Sequence, residues 1–247
     1  MLIRPVLILG GTAEARELAG LLIERNFEPI TSLAGATADP ILPPGRIRKG
    51  GFGSAQGMVR FVSGAVAVAI ADAAHPFAAK ISSTAAEAAR RAGVPYLRLE
   101  RPPWLPEPDD QWLEAGDIAQ AASLIPPGAR VLVTTGRKEI ARFLARRDVT
   151  GIVRTIELPA DAVPDNWKVM QDRPPYALAG ELQLIAQEGI TILVTKNAGG
   201  EATRAKLDAA RAKKIPVIIV KRPAKPESPV FWPAVALADH LEKSFMA

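Results

Sequence analysis

The sequence predicts an α/β protein of two halves, each built on a parallel sheet, and three observations carry that expectation. Short apolar runs break at glycine corners and pass directly into helical spacing. The pattern stands on both sides of a proline-dense stretch, residues 101–109 (RPPWLPEPD), of the kind that separates compact units. The best strands are apolar along their whole length, as in a sheet covered on both faces. With 247 residues, 48% of them hydrophobic, the chain can bury two such cores.

Residues 6–22 (VLILGGTAEARELAGLL) set the pattern. Val6, Leu7, Ile8 and Leu9 make a strand, Gly10 and Gly11 turn the backbone, and Ala15, Leu18, Ala19 and Leu22 recur at helical spacing. Glycine lets a ligand approach the main chain, Thr12 is placed to cap the helix, and the helix start suits an anion. The full G-x-G-x-x-G fingerprint is not met, and a corner that only packs is the plainer reading. Residues 28–33 read as the second strand. An acid at such a strand end selects NAD; Thr31, Ser32 and Leu33 carry none, which leans toward the 2′-phosphate of NADP.

Residues 46–49 lead into a second glycine loop, Gly50, Gly51, Phe52 and Gly53, ahead of a helical pattern at 55–62. Residues 65–71 (AVAVAIA) read as the strongest strand. It ends in Asp72 and His75, at the strand end where open sheets bind ligands. The alternative gives Asp72 a turn to cap and His75 a backbone partner. A helix at 79–91 and a strand at 95–99 complete the first half. Beyond the prolines, residues 131–139 (VLVTTGRKE) run parallel to 6–14, with a glycine in the same place and a glutamate three residues later. This corner carries Arg137 and Lys138, a helix start that is cationic as well as dipolar. The strand at 190–195, followed by Lys196, Asn197 and two glycines, repeats the device. A helix at 202–213, a strand at 215–220 and a helix at 233–245 follow. The result is two Rossmann-like halves, residues 1–105 and 106–247, with the active site in the cleft between them; the tail 221–247 is free to pack across.

The formal charge of +5 favours an anionic partner. Aromatics are only 5% and no basic arm is present, so nucleic acid fits poorly. There is no cysteine, and His75 and His240 are the only imidazoles, so no metal is expected. No apolar run reaches membrane-spanning length and the N-terminus is not a secretory signal, which makes the cytoplasm the expected setting.

VLILGGTAEARELA, the GGFG loop, D-A-x-H-P-F-A from Asp72, R-P-P-W from Arg101, T-G-R-K-E from Thr135 and T-K-N-x-G-G from Thr195 occur in that order. Together they closely resemble the precorrin-6A reductase family of cobalamin biosynthesis, over nearly the whole chain. Two departures are Ala74, where the family pattern has threonine, and Ser54, where it often has glycine. The resemblance implies NADPH-dependent reduction of precorrin-6A to precorrin-6B, a hydride to one carbon and a proton to its neighbour, with no metal. It implies a cofactor held by Gly10, Gly11, Thr12, Glu14, Ser32, Gly51, Phe52 and Gly53, and a polycarboxylate tetrapyrrole gripped by Arg137, Lys138, Lys196 and Asn197. Asp72 and His75 are the candidate proton donors, and product hand-over to adjacent pathway enzymes is a further expectation. The alternatives are a cobalt-precorrin-6A reductase, another NADP-linked or nucleotide-sugar enzyme, and a non-enzymatic nucleotide-sensing module, which would need no carboxylate clamp.

Overall fold

The computed structural model describes residues 4–35, 41–159 and 162–245. The chain forms two compact units, Met1–Pro102 with Pro223–Ala247, and Pro103–Arg222.

In the first unit the order is β1 (Arg4–Leu9), α1 (Ala13–Glu24), β2 (Phe27–Leu33), β3 (Arg46–Lys49), α2 (Ala55–Gly64), β4 (Ala69–Asp72), α3 (Ala79–Ala92) and β5 (Tyr96–Leu99). The end of the chain adds β12 (Val230–Phe231) and α8 (Ala234–Phe245). The sheet runs β12-β5-β4-β1-β2-β3, and every pairing is parallel. Two-residue periodicity explains the layering. Val6 and Ile8 pack with Leu18 and Leu22 of α1 and Leu237 and Leu241 of α8. Leu7 and Leu9 face the other way, with Met58 and Val62 of α2 and Ala85 and Ala88 of α3. A strand buried on both faces has no polar side to show, hence its unbroken apolar run.

The second unit holds β6 (Trp112–Ala115), α4 (Ile118–Ser123), β7 (Arg130–Val133), a 3₁₀ turn (Arg137–Glu139), α5 (Ala141–Leu144), β8 (Thr150–Thr155), β9 (Trp167–Gln171), α6 (Leu178–Gln187), β10 (Ile192–Lys196), a 3₁₀ turn (Glu201–Thr203), α7 (Ala205–Ala212) and β11 (Val217–Val220). Its sheet runs β6-β11-β10-β7-β8-β9, again all parallel. Leu132, Ile152, Leu193 and Ile219 pack with Ile185 of α6 and Leu207 of α7.

Three expectations change. The run 65–71 is a strand only from Ala69: Ala65 closes α2, and exposed Val66 has φ 52°, so the first half of that apolar run is a helix end and a turn. The corner at Gly136 opens a 3₁₀ turn and a four-residue helix, too short for a helix dipole to add to Arg137 and Lys138. The tail, placed in the range 106–247 but free to pack across, pairs β12 with β5 and lays α8 on α1, so from Pro223 it is counted with the first unit and no longer with the second.

Candidate active site

Each sheet has one place where neighbouring strands lead off in opposite directions. In the first unit β1 is flanked by β2 and β4; in the second β7 is flanked by β8 and β10. Open α/β sheets bind ligands outside the strand ends at such a point. Gly10, Gly11, Thr12 and Asp72 lie at the first of these points and Arg137, Lys138 and Lys196 at the second, while Gly51, Phe52 and Gly53 follow the edge strand β3.

At the first, Gly10 is fixed by space: a Cβ there would stand 2.4 Å from Cγ2 of Thr31. Gly11 is fixed by conformation, with φ 109°, and a Cβ would meet nothing within 4 Å. Its main chain is therefore open to an approaching group. The Thr12 hydroxyl accepts from the Ala15 amide at 3.1 Å, capping α1, and donates to the Ala73 carbonyl at 2.8 Å. One side chain thus ties the β1 corner to the chain leaving β4. Beside it Glu14 pairs with Arg101 at 2.7 Å, both largely buried. Burial works to raise the Glu14 pKa, but the Arg101 charge and hydrogen bond outweigh it and hold the carboxyl below its ordinary range. The second carboxylate oxygen, Oε2, is buried and has no hydrogen-bond partner among the described residues. It is an acceptor left over in the crevice that Thr12, Glu14, Ala73, Pro76 and Arg101 line. An open glycine backbone, a capped helix start and a spare buried acceptor fit a nucleotide.

The second glycine loop adjoins this corner. Ser32 offers its carbonyl to the Gly10 amide at 3.0 Å, and β2 pairs Ser32 with Arg48 of β3. Gly50 and Gly53 have φ 98° and 74°. Ser54 caps α2 by accepting from the Gly57 amide at 3.2 Å. Phe52 lies under the Arg48 guanidinium, 3.8 Å from ring centre to Cζ.

Asp72 ends β4 and is 1% exposed. Its Oδ1 accepts from the Ala74 amide at 3.1 Å and its Oδ2 from the Tyr96 hydroxyl at 2.7 Å. Burial and then the Asp72 charge push the Tyr96 phenol up, so it stays a donor to the carboxylate. His75 is exposed; its Nδ1 accepts from the Phe77 amide at 3.2 Å, which puts the proton of the neutral ring on Nε2.

At the second unit's point, exposed Arg137 pairs with Glu157 at 3.0 Å, and Lys196 pairs with Glu139. Lys138 is exposed and has no ion pair among the described residues. Asn197 is committed locally: its side chain accepts from the Trp104 amide at 2.8 Å and donates to the Trp104 carbonyl at 3.0 Å. Trp104 Nε1 donates to the Gly200 carbonyl at 3.1 Å, and Arg222 holds the carbonyls of Asn197 and Ala198. The loop bearing Lys196 is braced from both sides.

Sequence reasoning passed over Arg48, Tyr96 and the Glu14–Arg101 pair. Arg48 had a faint signal in its place just before the glycine loop. Arg101 sat in a proline stretch read as a boundary.

The sheet order 3-2-1-4-5, with a glycine corner and a capped helix at the turning point, is that of the dinucleotide-binding α/β class. The family model described as precorrin-6x reductase CbiJ/CobK matches residues 5–241. A precorrin-6A reductase of Rhodococcus erythropolis is 45% identical over 223 residues, 90% of each chain. A solved structure titled CobK precorrin-6A reductase superposes with TM-score 0.92 at 34% identity, covering 98% of this chain and 97% of that one. A cobalt-precorrin-6A reductase of a Synechocystis species is 29% identical, with 88% of each chain covered. The chain belongs to the precorrin-6x reductase family.

Proposed function

We propose that the chain reduces precorrin-6A to precorrin-6B with NADPH, as a step of cobalamin biosynthesis. The observation that carries this reading is the open, positive-φ Gly11 backbone beside a capped helix start, in a chain of this family. A nicotinamide, when bound, supplies the hydride. Gly10, Gly11, Thr12, Glu14, Ser32, Gly51, Phe52 and Gly53 are assigned to holding it. The first unit is thus the nucleotide unit and the second the substrate unit, and the higher identity to the cobalt-free reductase favours the cobalt-free macrocycle.

In the second unit Arg137, Lys138 and Lys196 serve the acetate and propionate groups of the tetrapyrrole. Lys138 does so without a competitor among the described residues, whereas an incoming carboxylate displaces Glu157 from Arg137 and Glu139 from Lys196. Asn197 shapes the Lys196 loop and does not grip substrate directly. In the first unit Asp72 positions the turn to His75, because both of its oxygens are already engaged. His75, exposed at the turn after β4, is the proton donor of this reading: it acts as the imidazolium and is left as the neutral ring once the proton has passed to the carbon beside the one that takes the hydride. A cytoplasmic setting and hand-over of product to neighbouring pathway enzymes belong to the same proposal.

Anaerobic oxidation of NADPH with precorrin-6A, and separately with the cobalt form, tests the assignment. Turnover of precorrin-6A is expected, and Arg137→Ala should raise KM for the macrocycle roughly tenfold, the loss of one charge-assisted contact, while NADPH affinity stays unchanged. Glu157→Gln should lower that KM by freeing Arg137. His75→Gln should lower kcat and flatten its pH profile. No turnover of either macrocycle would end the proposal.

A further inference from the structure

We infer that Arg48 is the residue that reads the 2′-phosphate of the nucleotide and so sets the choice of NADPH over NADH. The inference rests on the nucleotide reading above and assigns a role that no motif in the sequence marks.

The strand end that meets the adenosine ribose in this class of sheet is that of β2. Here it carries Ser32, whose carbonyl is bonded to the Gly10 amide of the first corner and whose strand partner is Arg48. Thr31 to Gly35 hold no carboxylate. The position that an acid would occupy to bind a ribose 2′-hydroxyl has instead a hydroxyl and a guanidinium.

That guanidinium is held in place before any ligand arrives. Nη1 donates to Ser32 Oγ at 3.3 Å and to the Gly50 carbonyl, and Nη2 donates to the Gly51 carbonyl at 2.8 Å. The Phe52 ring supports one face at 3.8 Å, and Phe61 lies 5.4 Å away. Three of five donors are used. The remaining two, Nε–H and the second Nη2–H, donate to no described residue, so the guanidinium keeps two donors for a phosphate. No carboxylate pairs with Arg48 among the described residues, in contrast to Arg46 on the same strand, which pairs with Glu28 at 3.0 Å. An anchored cation with two spare donors and no counter-charge among the described residues is pre-organised for a dianion. A lysine reaches the same place as a point charge and lacks the fork.

The experiment is calorimetric titration of the wild type, Arg48→Ala and Arg48→Lys with NADPH, NADH, 2′,5′-ADP and 5′-ADP, with thermal melting as the check of fold. Wild type should prefer NADPH and 2′,5′-ADP. Arg48→Ala should lose roughly 10- to 100-fold toward those two, the loss of a bidentate charge-assisted contact, and change little toward NADH and 5′-ADP. Arg48→Lys should fall between, which keeps the test alive if the alanine variant does not fold. Equal weakening toward all four ligands would mean that Arg48 only braces the glycine loop, and unchanged NADPH affinity would remove it from the site; either overturns the inference. Equal wild-type affinity for NADPH and NADH would do the same and leave nucleotide binding standing. A wild type that binds neither would take the nucleotide reading down as well.

Discussion

Glu14 shows how one residue at the first corner links stability to pH. Its carboxyl is buried, which favours the neutral form, yet Arg101 at 2.7 Å holds it below the ordinary glutamate value of 4.5. A carboxyl with a depressed folded pKa contributes stability above its unfolded value and loses that contribution as pH falls through the folded one. Melting temperature measured against pH should therefore drop below about pH 4.5. Glu14→Gln should flatten that acid limb and lower the melting temperature near neutrality; an unchanged limb would show that the pair adds nothing. Arg48 carries a second lesson at this scale. Basic residues on a short strand look like solvated surface, and only the pairing of β2 with β3 sets Arg48 beside Ser32.

At the scale of elements, the second unit is pinned by a buried ion pair. Arg154 on β8 meets Glu181 in the first turn of α6 through two bonds, 2.5 and 3.0 Å, with side chains 3% and 4% exposed. Tyr176 stacks on the guanidinium at 3.9 Å. The carboxylate also sits at the helix end that favours negative charge. Removing one partner leaves a buried charge without compensation, so Arg154→Met should cost about 3–5 kcal/mol in urea denaturation. Arg154→Met with Glu181→Leu should regain most of the loss, because two apolar side chains need no partner; a double variant as unstable as the single would show that the pair is net stabilising. Neither residue stood out in the sequence. Arg154 lies 27 positions before Glu181, and only the packing of α6 on the sheet brings them together. The helix misjudged after Gly136 makes the converse point: local spacing proposes a helix, but chain geometry stops it after Leu144.

For the whole molecule the division of the chain is unequal in a useful way. Pro103–Arg222 is one continuous segment, whereas the other unit closes only when Pro223–Ala247 returns to it. Leu237 and Leu241 of α8 are fully buried against Leu18 and Leu22 of α1. Burying one such side chain contributes about 1.5–3 kcal/mol, so losing α8 removes an amount comparable to the net stability of a domain. A fragment of residues 103–222 should fold alone, with cooperative melting and dispersed amide spectra. A chain ending at residue 222 should keep only that transition and lose NADPH binding. A first unit that still melted cooperatively without its tail would contradict the role given to α8.

Each sheet takes its sixth strand from the chain that links the units: β12 after the return, β6 after the departure. By itself, the sequence determined the parallel α/β class, the Gly10–Gly11 corner and the Gly50–Gly53 loop with the helices that follow them, and the order of motifs that marks the family. These are local properties: an apolar run, a Gly10–Gly11 turn and a Thr12 cap are written within a few residues of one another. Strand order, the destination of the tail and the partners of Asp72, Asn197 and Arg48 were decided by tertiary structure. A hydrogen bond from Tyr96 to Asp72, or from Trp104 to Asn197, joins residues 24 and 93 positions apart. No spacing rule encodes such a contact, because it exists only once the strands have chosen their neighbours.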